Sequence, residues 1–241
     1  MHFNTKSFTM TSKLGYMVVS IPAGAMMKIT ELSFTPSEYI LLNADKYAPE
    51  AKGKDGHNLL CSDGTVNGPH LAAMLVAAAL LANREEKALD IDLGQSKRLF
   101  RLDPIQHVYL KPQGQPPNWS GYTLENTLLF IVGQLFAMQD VNTVRNVVYE
   151  LIREDRPDPW QKVIEVVEWG LASSNWLIPV EGEAAAAFST PFICPAKVRD
   201  LVLAQPEGPV HDLLSSCKRD QPELWNNILS EVGLAFKDRR R

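Results

Sequence analysis

Organised patterning of apolar and polar positions begins at Ile29-Thr30-Glu31-Leu32-Ser33-Phe34, which leads into Thr35-Pro36-Ser37-Glu38. Thr35 is placed to cap a helix whose first position is Pro36, with Glu38 able to reach back and complete a capping box. That helix carries Tyr39, Ile40, Leu41 and Leu42, and a polar, glycine-containing loop follows from Asn43 to Gly56. Asn67-Gly68-Pro69 then opens the most apolar helix of the chain, from about His70 to Asn83. Five alanines surround Met74, Leu75, Val76, Leu80 and Leu81, so nearly every face is apolar and the helix belongs at the centre of a core. Ala88 to Leu93 alternates apolar with acidic residues, as a half-buried strand does, and a turn at Gly94-Gln95-Ser96-Lys97 is predicted to lead to a return strand at Leu99-Phe100-Arg101-Leu102.

After a loop punctuated by Pro112, Pro116 and Pro117, a helix is predicted with Leu124, Leu128, Leu129, Ile131, Val132 and Leu135. The second half repeats the plan loosely. A short helix spans Val144 to Arg153, and Asp158 with Pro159 starts another, in which Trp160, Val163, Ile164, Val167 and Leu171 recur at helical spacing. Trp176 to Val180 reads as a strand, Glu181-Gly182-Glu183 as a turn, and Ala184 to Ile193 as the returning arm of a second hairpin. Helices from Ala196 to Ala204 and from Pro222 to Phe236 complete the chain. The predicted class is mainly α (α+β): a single compact helical domain with short antiparallel β-hairpins, each helix-plus-hairpin resembling a winged-helix unit.

A length of 241 residues and a 45% hydrophobic fraction suit one substantial core. The net charge of -4, with mixed signs, argues against a disordered acidic chain and against a generic nucleic-acid binder, which presents a basic face. Cys61, Cys194 and Cys217 are far apart and odd in number, so the expectation is reduced thiols in a cytosol rather than a disulfide framework or zinc knuckle. No apolar run reaches the length needed to span a bilayer. Residues 1-27 read as a disordered leader or a mis-assigned start, with a faint signal-peptide character in Leu14 to Val19, and the domain is placed at 28-241.

Catalytic patterns are sparse. His57, His70, His107 and His211 show no metal-ligand spacing, and Ser62, Ser173 and Ser174 sit in no nucleophile elbow. Asp90 and Asp92 share a strand face, which fits either a carboxylate pair or, more simply, an exposed face. Lys52-Gly53-Lys54-Asp55-Gly56 lacks the order of a phosphate loop. The helix that would read DNA in the second half carries Glu165 and Glu168 against Lys162, so DNA recognition is not expected. Two features are able to meet a membrane: the apolar arm through Phe188, Phe192 and Ile193, and the tail Lys237-Asp238-Arg239-Arg240-Arg241, where basic residues near an anionic leaflet contribute about 1 kcal/mol each.

In segment order the chain resembles the Golgi phosphoprotein 3 family, including its bacterial relatives. The resemblance runs over Leu32 to Asp45, Asn67 to Ile91, and Val166 through the hairpin to Pro195. It implies a non-catalytic peripheral membrane adaptor that binds a phosphoinositide-type lipid headgroup, without a cofactor, at the cytoplasmic face of a membrane. Family members hold the headgroup with a tryptophan, an arginine at the start of the central helix and two arginines three apart on the later helix. Here Cys61 or Ser62, His70 or Leu71, Gln161 and Ile164 stand at those positions, so no headgroup residue carries over. The expected partners are an anionic phospholipid or a protein, with no nucleic acid, no transmembrane segment and no metal. The alternative is a protein-protein interaction module or homo-oligomer without lipid affinity.

Overall fold

The structure is a computed structural model that describes residues 34–51, 53–96, 105–119, 121–138, 142–153, 157–180, 192–204 and 207–239. The chain opens with α1 (Pro36–Leu42), whose capping box forms as the sequence predicts: the Thr35 side chain accepts from Glu38 N, and Glu38 Oε2 accepts from Thr35 N at 2.8 Å. All seven residues of α1 are buried, including Ser37 and Glu38, so their polar groups need partners inside the protein. Glu125 supplies them across the core, accepting from Ser37 N at 2.9 Å and Ser37 Oγ at 3.0 Å. The leader expected over 1-27 lies outside the described residues.

A one-turn helix α2 (Ala44–Tyr47) stands inside the predicted loop. It is followed by a small antiparallel hairpin of β1 (Gly56–Asn58) and β2 (Thr65–Asn67), which the sequence reading missed. Asn67 then caps α3 (Gly68–Glu85), its Oδ1 accepting from His70 N at 2.8 Å. Helix α3 is the central element, as its all-round apolar character requires, and its alanines let other helices approach closely. It packs against α1 and against four later helices: α4 (Leu124–Ala137), α6 (Trp160–Ser173), α8 (Gly208–Asp220) and α9 (Pro222–Arg239).

Between α3 and α4 lies the longest hairpin, β3 (Leu89–Ser96) with β4 (Ile105–Pro112), in the register Asp90↔Lys111 and Ile91↔Leu110. The predicted return strand at Leu99–Leu102 lies outside the described residues, and the paired strand is Ile105–Pro112. The alternation of Val108 and Leu110 inward with Tyr109 and Lys111 outward carries it. Asp92 is exposed and Asp90 half-buried, the simpler of the two readings of that pair. The helix α5 (Val144–Leu151) leans on β4 and α9. At α6 the cap position falls to Pro159 rather than Asp158.

A two-residue pair, β5 (Ile178–Pro179) with β6 (Phe192–Ile193), then leads into α7 (Ala196–Ala204). The helix α8 was not predicted, although Gly208-Pro209 opens it and Val210, Leu214 and Cys217 recur on its buried face. One continuous hydrophobic core joins residues from Phe34 to Phe236. The described residues thus form a mainly helical α+β domain, and none of their helices is long and apolar enough to cross a membrane.

Candidate functional site

Helix α6 buries Trp160, Val163, Ile164, Val167 and Leu171. At 100° per residue Trp169 falls on the opposite side, and it is 58% exposed. Gly170 beside it is required by its neighbour: a Cβ there would stand 2.4 Å from the Tyr122 carbonyl oxygen, so α6 meets the entrance of α4 at backbone contact. Tyr122, whose backbone meets α6 at Gly170, is 77% exposed.

Past α6, Asn175 turns the chain in the left-handed region at φ 60°, and β5 carries it outward. The Phe192 ring of β6 packs edge-on against Trp169, with centroids 5.1 Å apart. Ile178 and Ile193 face each other across the strand pair, and both are exposed. Trp169, Ile178 and Ile193 are thus exposed apolar side chains around the β5–β6 pair, Trp169 on the Phe192 side and Ile178 and Ile193 on the other; Tyr122 is exposed at the entrance of α4, and Lys197 and Arg199 are exposed on α7 just beyond Ile193.

Of the residues expected to meet a membrane, Phe188 lies outside the described residues. Phe192 is only 3% exposed, because it is the ring that supports Trp169, and Ile193 is exposed. The exposed apolar side chains in this region that sequence reasoning missed are Trp169, Tyr122 and Ile178. Their signal was an indole out of phase with the apolar stripe of its own helix. Of the basic tail, Arg239 at the end of α9 lies 3.8 Å over the Tyr149 ring and Asp238 accepts from Arg145 Nε at 2.8 Å, while Lys237 is exposed and Arg240 and Arg241 lie outside the described residues.

The cysteines require a correction. Cys61, in the loop between β1 and β2, and Cys194, directly after β6, are joined by a disulfide with Cα atoms 5.2 Å apart, where reduced thiols were expected. Nothing local marks a pairing across 133 residues; the fold brings the two together. Cys217 is free and buried, and burial holds its thiol above the ordinary range although Arg84 pulls the other way.

On the inner side of α6, His57 Nε2 and Glu168 Oε1 lie 3.9 Å apart with no hydrogen-bond partner. That gap exceeds a hydrogen bond. Burial drives both groups toward neutrality: His57 is lowered to about 4, and Glu168 is raised to about 7 by burial and then by Glu165. Among the described residues no group of three or more His, Cys, Asp or Glu side chains is placed to hold a metal ion. Of the positions where the resembling family has arginines, Ile164 is buried in the core, while Gln161 and His70 are exposed.

A second apolar surface lies on α4. From Asn126 to Met138 the chain carries no charge, and Phe130, Phe136 and Met138 are each at least half exposed. No protein family, no curated protein and no solved structure matches this chain.

Proposed function

We propose that the protein is a non-catalytic peripheral membrane adaptor that docks on a bilayer through the exposed side chains of Trp169, Tyr122, Ile178 and Ile193. The observation that carries this is the exposed Trp169, braced on the buried Phe192 instead of lying loose on the surface. A tryptophan and a tyrosine held outward with aliphatic side chains suit the headgroup layer, where an amphipathic ring keeps one end apolar and the other wet. Lys197 and Arg199 supply positive charge just beyond Ile193, so anionic lipid is favoured. A phosphorylated inositol headgroup gains no bidentate guanidinium contact from Ile164 or Gln161, so the preference is for negative charge in general. Membership of the Golgi phosphoprotein 3 family is part of the same proposal, supported by segment order: the capped α1, apolar α3 with its hairpin, and α6 with β5 and β6.

The protein is placed at the cytoplasmic face, where thiols are kept reduced and the Cys61–Cys194 bond opens; in an oxidising compartment the bond persists. The test is co-flotation with vesicles of phosphatidylcholine alone, with added phosphatidylserine, and with added phosphoinositide, at low and physiological salt. Binding should require anionic lipid, weaken with salt, and fall by more than about tenfold in Trp169→Ser/Ile193→Ser, in line with loss of two apolar contacts. A folded double variant that floats like the parent removes these side chains from consideration. Absence of binding to every vesicle favours the alternative, a protein-interaction module or homo-oligomer. The uncharged outer face of α4 supports that second reading, and Phe130→Ser should then abolish any concentration-dependent mass seen by light scattering.

A further inference from the structure

We infer that the Cys61–Cys194 disulfide is a redox latch that fastens β6 and α7 to the body of the protein. Among the described residues, the other anchors of 192–204 are short. Phe192 packs on Trp169, Val198 and Val202 reach the core, and most of α7, including Leu201 and Leu203, is exposed. The strand pair to which β6 belongs is two residues long, and Pro179, which faces Phe192, has no N–H to give to the ladder. The disulfide ties this stretch to the loop of the β1–β2 hairpin, whose base is held against the start of α3 by Gly68 N donating to the carbonyl of Asp55, just before β1, at 2.8 Å. The bond thus joins β6 and α7 to the hairpin whose second strand runs directly into α3.

The bond is also placed to be opened. Cys61 is half-buried in a loop whose neighbours Ser62, Asp63 and Gly64 are exposed, whereas Cys194 is buried. A thiolate of a dithiol reductant attacks Cys61 Sγ, the disulfide breaks, and Cys194 leaves as the thiolate. The second thiol of the reductant then attacks the mixed disulfide and releases Cys61. The dithiol ends as its own disulfide, having given two electrons and two protons to the two cysteines. Once it is cut, residues 192–204 are held, among the described residues, by the short β5–β6 pair, Phe192 and the two valines. Their local opening becomes easier while the helices around α3 are untouched. The latch stands whether or not the neighbouring side chains meet a bilayer.

The experiment uses the full chain, equilibrated in oxidised glutathione or in dithiothreitol. Thiols are counted after denaturation, and amide exchange is followed in the native protein. The oxidised form should show one free thiol, Cys217, and the reduced form three. Reduction should accelerate exchange across 196–204 by roughly tenfold and leave α3 and α9 unchanged. Cys217→Ser should keep this response, and the Cys61→Ser/Cys194→Ser variant should exchange at the reduced rate in both buffers. Three free thiols after oxidation, or equal exchange in the two forms, overturns the inference.

Discussion

Gly170 sits inside α6, where helix propensity alone says that alanine should stabilise by about 1 kcal/mol. Its surroundings reverse that sign. A Cβ would stand 2.4 Å from the Tyr122 carbonyl oxygen, a backbone atom that cannot swing aside, so α4 and α6 must separate. Gly170→Ala is therefore expected to destabilise by about 1–3 kcal/mol, the usual cost of overpacking. Gly133, in α4, has nothing within 4 Å of its added Cβ, so Gly133→Ala should stabilise by about 0.5–1 kcal/mol. Denaturant unfolding of the pair reads both signs, and a Gly170→Ala protein as stable as the parent would contradict the packing described here. At this scale the sequence shows which residue types are present but not what they touch. The capping box of Thr35 and Glu38 is legible because both partners lie within four residues. Trp169 on Phe192, and Cys61 with Cys194, are not, because each depends on chain segments that only the folded core brings together.

Among the elements, those with a strong local period were legible: α1, α3, α4, α6, α7 and α9 are found where the apolar spacing puts them. Misplacement came where punctuation competed with periodicity. Gly94 looks like a turn, yet it lies within β3, where its missing side chain makes room for the Tyr109 ring 2.5 Å from the position of a Cβ. The short β1 and β2 pair carries too little apolar contrast to stand out, whereas α8 was overlooked although Gly208-Pro209 and the spacing of Val210, Leu214 and Cys217 mark it. What joins elements is less visible still, and Glu231 shows why. From α9 this buried carboxylate bonds His107 Nδ1 at 2.9 Å and Val108 N at 3.2 Å on β4, and through its other oxygen accepts from Arg145 N at 3.0 Å in the first turn of α5. It fastens three elements and serves a donor that α5 cannot satisfy internally. Glu231→Ala should cost about 2–4 kcal/mol, because it strands buried donors as well as removing hydrogen bonds. Amide exchange should localise the damage to Val108 and Arg145. Uniform loss of protection, or none, would show that Glu231 is not the joint.

For the whole molecule, the buried ionisable groups set how stability follows pH. Burial raises Glu38 to about 7, outweighing the hydrogen bond from Thr35 N, and raises Glu168 likewise to about 7. Glu125, fully enclosed, also moves upward. A carboxyl group whose folded pKa lies above its unfolded value binds protons more tightly in the native state. Its contribution is complete below the unfolded pKa near 4.5 and is lost as pH rises through 7. His57 acts in the opposite sense: lowered to about 4 by burial, its contribution is present above 6.5 and is lost as pH falls through 4. Between pH 4.5 and 6.5 the carboxyl groups outnumber the single histidine, so their joint effect is still a decline in stability with rising pH. Glu168→Gln isolates one of them, since glutamine copies the shape of the protonated acid and does not titrate. Relative to the parent, the variant should gain about 2 kcal/mol between pH 5 and pH 8, as expected for a shift of this size that is already partly expressed at pH 5. Urea unfolding of the two proteins across that range measures the difference directly. A constant difference would mean that Glu168 is ionised throughout and that burial does not hold its proton.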